Sequence, residues 1–416
     1  MKTVLFITYN FPPAGGAGVQ RSLKFIKYLP QFGWQPVVIT AMPENYPIHD
    51  ESLWKDIPEN TPIYRAKSYD INGLRPFFTR FKLAKIITAI NIMLMLPDAA
   101  IFWTYSARST IRKAIQQHQP SLIYSSSGPA SAHILARWAK KTFTLPWLAD
   151  FRDPWSENLL SPYLPGYRSI NRKMEKEILA AADSVACVTQ PWLDDLKHNL
   201  GRNIDKFFVL PNGYDEADVQ PLPYPSDNSR FTLTYLGSFY RNRRPNNLIK
   251  AIETLIQTQR IPVVDIRVLF IGKNVRQFVP HIPPFEVHNY VPHEQLNYFR
   301  LQSDAFILLL DTSPKNIGNH SGKLFEYMAS NRPILGIVPK GGAAQHLIEE
   351  TRTGISVGDD VEEIAEAINK LYEQWKRKQF IWNPDWNVIR QYTRRKLTQR
   401  LAAEFERLTT NLERKK

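Results

Sequence analysis

The stretch Asn319-His320-Ser321-Gly322-Lys323-Leu324-Phe325-Glu326-Tyr327-Met328-Ala329 combines small polar residues with a lysine and an acid at helical spacing. A helix beginning near Ser321 turns its unpaired backbone N–H groups, and the positive end of its dipole, toward whatever lies at that end. Phosphate is the natural ligand of such a terminus. Lys323 falls in the first turn, where a cation is unfavourable unless an anion is bound close by. Glu326 lies one turn on, on the same face, and its carboxylate suits a diol such as a ribose. On these residues alone, a solvated lysine and an ordinary helix acid explain the stretch equally well.

Other clusters place charge or glycine where a strand gives way to a loop. Arg241-Asn242-Arg243-Arg244-Pro245 gathers planar, permanently charged guanidinium groups, a composition suited to a diphosphate or to a solvated basic loop. Trp147-Leu148-Ala149-Asp150-Phe151-Arg152-Asp153-Pro154-Trp155 ends a buried strand with two acids and an arginine. Asp153 can accept hydrogen bonds from a sugar hydroxyl there, or simply pair with Arg152. Gly15-Gly16-Ala17-Gly18 follows a strand and opens a helix, so it admits a ligand close to the backbone or makes a tight turn. His133, after Ser125-Ser126-Ser127-Gly128-Pro129, stands at a helix start and either faces a cleft or serves the structure.

Several chemistries find no support. The dinucleotide fingerprint would need glycine where Arg21 stands, and the second strand ends at Thr40 without an acid. The P-loop pattern is absent. A single cysteine and no paired-histidine spacing leave no metal site, and there is no nucleophile elbow.

The elements that must position these residues read as strands alternating with helices. The apolar run 4–8 fits a strand buried on both faces of a parallel sheet. The glycine loop, a helix bearing Leu23 and Ile26, and a second buried strand over 36–40 complete a β-loop-α-β unit. Further strands are expected at 121–125, 147–150, 185–189 and 207–210, with helices at 132–141 and 170–181. Residues 43–75, rich in Pro, Asn and Tyr, read as irregular, and 221–228 as an interdomain linker. The pattern then restarts with a strand at 231–236, the turn Gly237-Ser238, a helix at 248–256 and strands at 266–271 and 305–310. Helical spacing returns at Ile364, Ile368, Leu371 and Trp375 and, beyond Asn383-Pro384-Asp385, at Leu397, Leu401, Leu408 and Leu412. The expected architecture is α/β: doubly wound domains over 1–212 and 231–383, a linker over 213–230, and a C-terminal helix over 384–416.

The totals agree. With 416 residues the chain exceeds what one core accommodates. Its 43% hydrophobic and 22% charged residues are those of a globular protein. A net charge of +14 points to an anionic partner: nucleotide phosphates, nucleic acid or a membrane surface. Cys187, the only cysteine, excludes an intrachain disulfide and fits a reducing, cytoplasmic compartment. The apolar start is cut short by Asn10, Pro12 and Pro13, so it reads as a strand rather than a signal peptide. The longest apolar stretch, 86–96, is about half a membrane span. The surrounding segment 76–96 mixes Phe77, Phe78 and Phe81 with Arg80, Lys82 and Lys85 and is apolar nearly all round a helix. It is expected either to be buried or to meet lipid or a lipid-bearing substrate.

Taken in order, Phe11-Pro12-Pro13 through Gly18, Ala149 through Trp155, Asn212-Gly213, Gly237-Ser238 and Ser321 through Tyr327 resemble the retaining glycosyltransferases of family four. The resemblance covers nearly the whole chain. It implies the GT-B fold, two Rossmann-like domains facing across a cleft, with the C-terminal helix returning to the first domain. It further implies a nucleoside-diphosphate sugar on the second domain, an acceptor on the first, and no cofactor beyond that co-substrate. Gly15 and Gly16 would then approach the diphosphate, with Arg243 or Arg244 standing where the family's phosphate-binding lysine falls. Ser321, Gly322 and Lys323 would also face phosphate, and Glu326 would hold the ribose. Asp153 becomes the candidate catalytic contact to the transferred sugar or acceptor, with Arg152 and His133 as further sugar or acceptor contacts. The sequence departs from the family at Gly318, where a first glutamate is common, and at Ser238, where an arginine is. Recognition of the donor sugar is therefore not carried over.

The expected reaction is metal-independent transfer to a hydroxyl of a glycan or lipid-linked glycan, as in polysaccharide biosynthesis, with peripheral attachment to the inner face of a membrane. Cations and helix N–H groups would stabilise the nucleoside diphosphate as it leaves. The alternatives are a sugar-nucleotide epimerase of the same architecture and a basic protein that binds nucleic acid or membrane. Nucleic acid is disfavoured, because the basic residues gather at loops rather than along one helix.

Overall fold

The computed structural model describes residues 1–46, 48–68, 95–157, 166–201, 205–223, 228–239, 243–289, 291, 296–378 and 383–413. Most of the aromatic and basic segment 76–96 lies outside them. The chain divides into two compact units, Met1–Pro211 with Arg394–Lys416, and Asn212–Thr393.

Among the described residues the first unit is a parallel sheet of seven strands: β1 (Lys2–Ile7), β2 (Trp34–Ala41), β3 (Ile63–Ala66), β4 (Leu122–Ser126), β5 (Trp147–Phe151), β6 (Ser184–Cys187) and β7 (Phe207–Val209). Val4 through Ile7 and Val37 through Ile39 are fully buried, as continuous apolar runs require when helices cover both faces. Those helices are α1 (Ala17–Tyr28), α2 (Ile101–His118), α3 (Ser131–Phe143), α4 (Tyr167–Ala181) and α5 (Gln190–Leu200). The strand order is β3-β2-β1-β4-β5-β6-β7, so the winding reverses between β1 and β4. Strand β3 lies within the span expected to be irregular. Its four residues are only partly buried apart from Ala66, and such a short edge strand leaves little periodic signal.

The second unit repeats the plan with β8 (Phe231–Leu236), β9 (Ile266–Ile271), β10 (Phe285–His288), β11 (Ala305–Leu309), β12 (Ile334–Ile337) and β13 (Gly354–Val357), ordered β10-β9-β8-β11-β12-β13. Its helices are α6 (Asn246–Gln257), α7 (Leu296–Leu301), α8 (Gly322–Ala329), α9 (Ala343–Glu350), α10 (Val361–Lys376) and α11 (Trp386–Ile389).

Residues 213–223, the first part of the segment expected as a linker, are instead a strap on this unit. Tyr214 and Val219 are buried in its core, Leu222 N–H donates to Ser330 O at 3.2 Å, and Asn331 Nδ2 donates to Leu222 O at 3.0 Å. Residues 384–393 also stay with the second unit: Asp385 N–H donates to Thr351 O and Ile389 is buried. The return therefore starts at the last helix, α12 (Arg394–Glu413), which buries Leu397, Leu401 and Phe405 in the core of the first unit. Phe405 meets Trp34 edge-on, with ring centroids 5.2 Å apart. Among the described residues no helix is long and apolar enough to cross a membrane.

Candidate active site

In open α/β sheets ligands bind beyond the carboxyl ends of the strands, where the strand order reverses. In the second unit that point lies between β8 and β11. Helix α8 opens there as the sequence indicates. Ser321, in extended backbone, is its N-cap, and its hydroxyl oxygen accepts from Lys323 N–H at 3.4 Å. Tyr327 fixes the helix to the sheet by accepting Leu236 N–H at 3.2 Å and stacking on Phe306 at 4.5 Å.

The Lys323 ammonium lies directly on Gly237. A Cβ at that glycine would come within 1.6 Å of Nζ, and its φ of +146° already disfavours a side chain. Beneath the ammonium is the Tyr235 ring, with Nζ 5.0 Å from the centroid, and Tyr235 in turn stacks on Phe239 at 4.7 Å. Burial, and after it the neighbouring Arg243 cation, push Lys323 down to about 8, with Glu326 opposing. The two arginines divide. Arg243 shares the field of Lys323, whereas Arg244 is exposed and stands 5.5 Å over the Phe278 ring. Gly322, the first residue of α8, is exposed.

Glu326 is held from behind. Its Oε2 accepts from Arg300 Nη2 at 2.6 Å, and Arg300 Nη1 donates to Asn297 Oδ1 at 3.0 Å. The arginine side chain is 2% exposed and the glutamate 31%. Sequence reasoning missed Arg300, which belongs to no glycine turn or charge cluster. Its one signal is a cation beside Phe299 within a short helical run.

The first unit reverses its order between β1 and β4, and Asn10 Nδ2 bridges that point to Gly128 O at 2.9 Å. In the glycine loop the two expected residues play different parts. Gly15 donates its N–H to Ile48 O at 2.8 Å, and a Cβ there would meet Ile48 Cγ2 at 2.9 Å, so packing requires this glycine. Gly16, the exposed N-cap of α1, has φ +89° and open space around it.

Asp153 is exposed just past β5. It does not pair with Arg152: that guanidinium donates through Nη1 to Gly18 O at 2.5 Å, and the Arg152 N–H donates to Ser127 Oγ at 3.0 Å. The loop behind Asp153 is tied to α4, where Trp155 Nε1 donates to Asn171 Oδ1 at 2.7 Å and Ser156 Oγ to Glu175 Oε2 at 2.7 Å. His133, expected as a sugar or acceptor contact, is instead a core residue. It is fully enclosed, its Nδ1 lies 2.8 Å from Ser125 Oγ, its ring packs on Phe151 at 4.4 Å, and burial pushes it down to about 3. Ser125 of β4 and Trp147 and Phe151 of β5 enclose it, which a position at a helix start does not disclose.

Asp150, within β5 and three residues before Asp153, is structural. Arg21 binds it through Nε and Nη2, both at 2.8 Å, and reaches Leu210 O and Pro211 O, the last residues of the first unit's main segment. Tyr124 donates to it at 2.6 Å. Burial alone would raise this carboxyl; Arg21 and the Tyr124 hydroxyl outweigh it and hold Asp150 below the usual range.

Comparison with known proteins agrees with the fold. The model for Glycosyltransferase Family 4 matches residues 16–218, and that for Glycosyl transferases group 1 matches residues 230–374. A glycosyltransferase from Rickettsia africae superposes with a TM-score of 0.66 at 16% identity, covering 98% of each chain. Sucrose-phosphate synthase from Thermosynechococcus elongatus gives 0.65 at 14%, covering 99% of this chain and 100% of its own. A trehalose-6-phosphate protein from E. coli bound with UDP-2-fluoro glucose gives 0.61 at 13%, covering 97% and 98%. No curated protein matches the sequence. With glycosyltransferase models covering both halves in order, on two units wound in the same sense, the chain belongs to the family-four type of GT-B glycosyltransferases.

Proposed function

We propose that this glycosyltransferase moves a sugar from a nucleoside-diphosphate donor, held on the second unit, to a hydroxyl of a glycan or lipid-linked glycan, with retention and without a metal. The observation that carries this reading is the Lys323 ammonium, laid on Gly237 beside the Arg243 charge at the N-terminus of α8. Two cations and a positive helix end repel one another, Glu326 offsets this only in part, and an anion joining them relieves the repulsion. A diphosphate satisfies all three, and the same groups stabilise the charge that grows on it as the sugar leaves. Glu326, one turn along the helix, suits the ribose diol. The UDP-2-fluoro glucose carried by a structural neighbour supports a nucleotide sugar as donor.

Asp153 and Arg152 on the first unit are the contacts proposed for the transferred sugar or the acceptor, and Gly16 the point of close backbone approach. No residue is assigned as a nucleophile; retention follows the family's front-face attack. No cofactor enters beyond the co-substrate, and a lipid-linked acceptor would bring the protein to a membrane surface.

The test is a panel of nucleotide sugars in thermal shift. A specific donor at a hundred times its Kd stabilises the fold by about 2.7 kcal/mol. Lys323→Ala and Glu326→Gln, the latter keeping an oxygen acceptor for Arg300, are expected to melt cooperatively, lose the donor-induced shift and lose transfer. Near-wild-type turnover in both variants rejects the donor site. Conversion of the donor without any acceptor would identify an epimerase instead.

A further inference from the structure

We infer that Arg300 is a positioning residue that sets the Glu326 carboxylate for the ribose diol and so decides the preference for ribonucleotide donors. The inference rests on the donor-site reading above. Arg300 is buried while its partner Glu326 is partly open, so the pair is asymmetric: one member is locked in protein and the other reaches outward. The guanidinium spans two partners at once, Asn297 Oδ1 at 3.0 Å and Glu326 Oε2 at 2.6 Å, which fixes its plane and with it the carboxylate. Packing fixes the surroundings as well, since Phe299 is buried beside Arg300 and Phe325 and Tyr327 flank Glu326 in the core. A glutamate on a helix has several rotamers open to it, and Lys323, one turn away on the same face, attracts it in another direction. Arg300 removes that freedom before the ligand arrives, which lowers the entropy lost on binding.

The experiment measures, by isothermal titration calorimetry, the affinity of UDP, ADP and GDP and of their 2′,3′-dideoxy counterparts. For whichever base binds, the wild type is expected to prefer the ribonucleotide by about tenfold or more, as hydrogen bonds to a charged acceptor warrant. Glu326→Gln should weaken that ratio. Arg300→Met should bring it close to one while binding of the dideoxy compound is unchanged. Because Arg300→Met leaves Glu326 without its buried partner and can unfold, Arg300→Lys is the second variant. It keeps the charge without the planar fork, and its ratio is expected to fall at least threefold, a change that a purely structural arginine would not produce. A full wild-type ratio in folded Arg300→Lys or Arg300→Met overturns the positioning role and leaves the donor site standing. Binding of no nucleoside diphosphate by the wild type sinks the donor-site reading and this inference together.

Discussion

Lys323 concentrates the chemistry of the second unit in one titration. Its ammonium is pushed down to about 8 by burial and by Arg243, and a diphosphate bound as proposed would reverse that push. Donor binding should therefore take up a proton once the pH exceeds about 8, and affinity should fall by up to about tenfold per pH unit from there toward 10. Calorimetry of a nucleoside diphosphate across this range checks it, and Lys323→Arg should flatten the profile because a guanidinium does not titrate there. The sign for the unliganded fold is opposite. A lysine favoured in its neutral form gives stability as pH rises from about 8 toward its unfolded value near 10.4, and withholds it below. Gly237 tests the same contact sterically. Gly237→Ala places a methyl where Nζ lies and strains a φ of +146°, so it should cost about 1–3 kcal/mol of stability and remove donor binding. Melting and calorimetry together separate the two losses.

At the scale of elements, buried polar ties decide where the loops stand. Tyr327 joins α8 to β8 and β11, which is why the N-terminus of α8 meets the Gly237 turn. In the first unit Arg21 links α1 to β5 through Asp150 and to the chain just before residue 212. Removing one member of a buried pair leaves the other uncompensated, so Asp150→Asn is expected to cost about 3–5 kcal/mol in urea denaturation. Because Asp150 is held below its ordinary range, its contribution is present above about pH 4 and lost as the pH falls through its folded value. The variant should accordingly show a weaker loss of stability on acidification than the wild type. Local chemistry made α8 readable: Ser321 is a good cap and Leu324, Tyr327 and Met328 keep helical spacing. It did not reveal that His133 is enclosed or that Arg300 stands behind Glu326, because both depend on segments distant in sequence.

At the scale of the molecule, the second unit is continuous in sequence while the first needs its last helix from beyond it. A fragment of residues 212–393 is expected to fold and to bind the nucleoside diphosphate, with a cooperative melt and a measurable Kd. A fragment of residues 1–211 lacks Leu397, Leu401 and Phe405 of its core, and Phe405 packs on both Trp34 and Tyr124. It should aggregate, and supplying residues 394–416 through a flexible linker should restore a soluble, cooperatively melting unit.

The sequence by itself determined the two windings of strand and helix, since buried parallel strands are written as continuous apolar runs and turns as glycine. It also determined the start of α8, because capping and first-turn charge are local. Only the tertiary structure decided which charges meet: that Lys323 settles on Gly237, that Arg243 rather than Arg244 shares its field, and that Arg300 backs Glu326. It also decided that residues 213–223 are a strap and that Arg152 turns to Gly18 rather than to Asp153. The physical reason is common to these cases. The energy of a charge or a proline-rich segment depends on what covers it, and the cover comes from residues far along the chain.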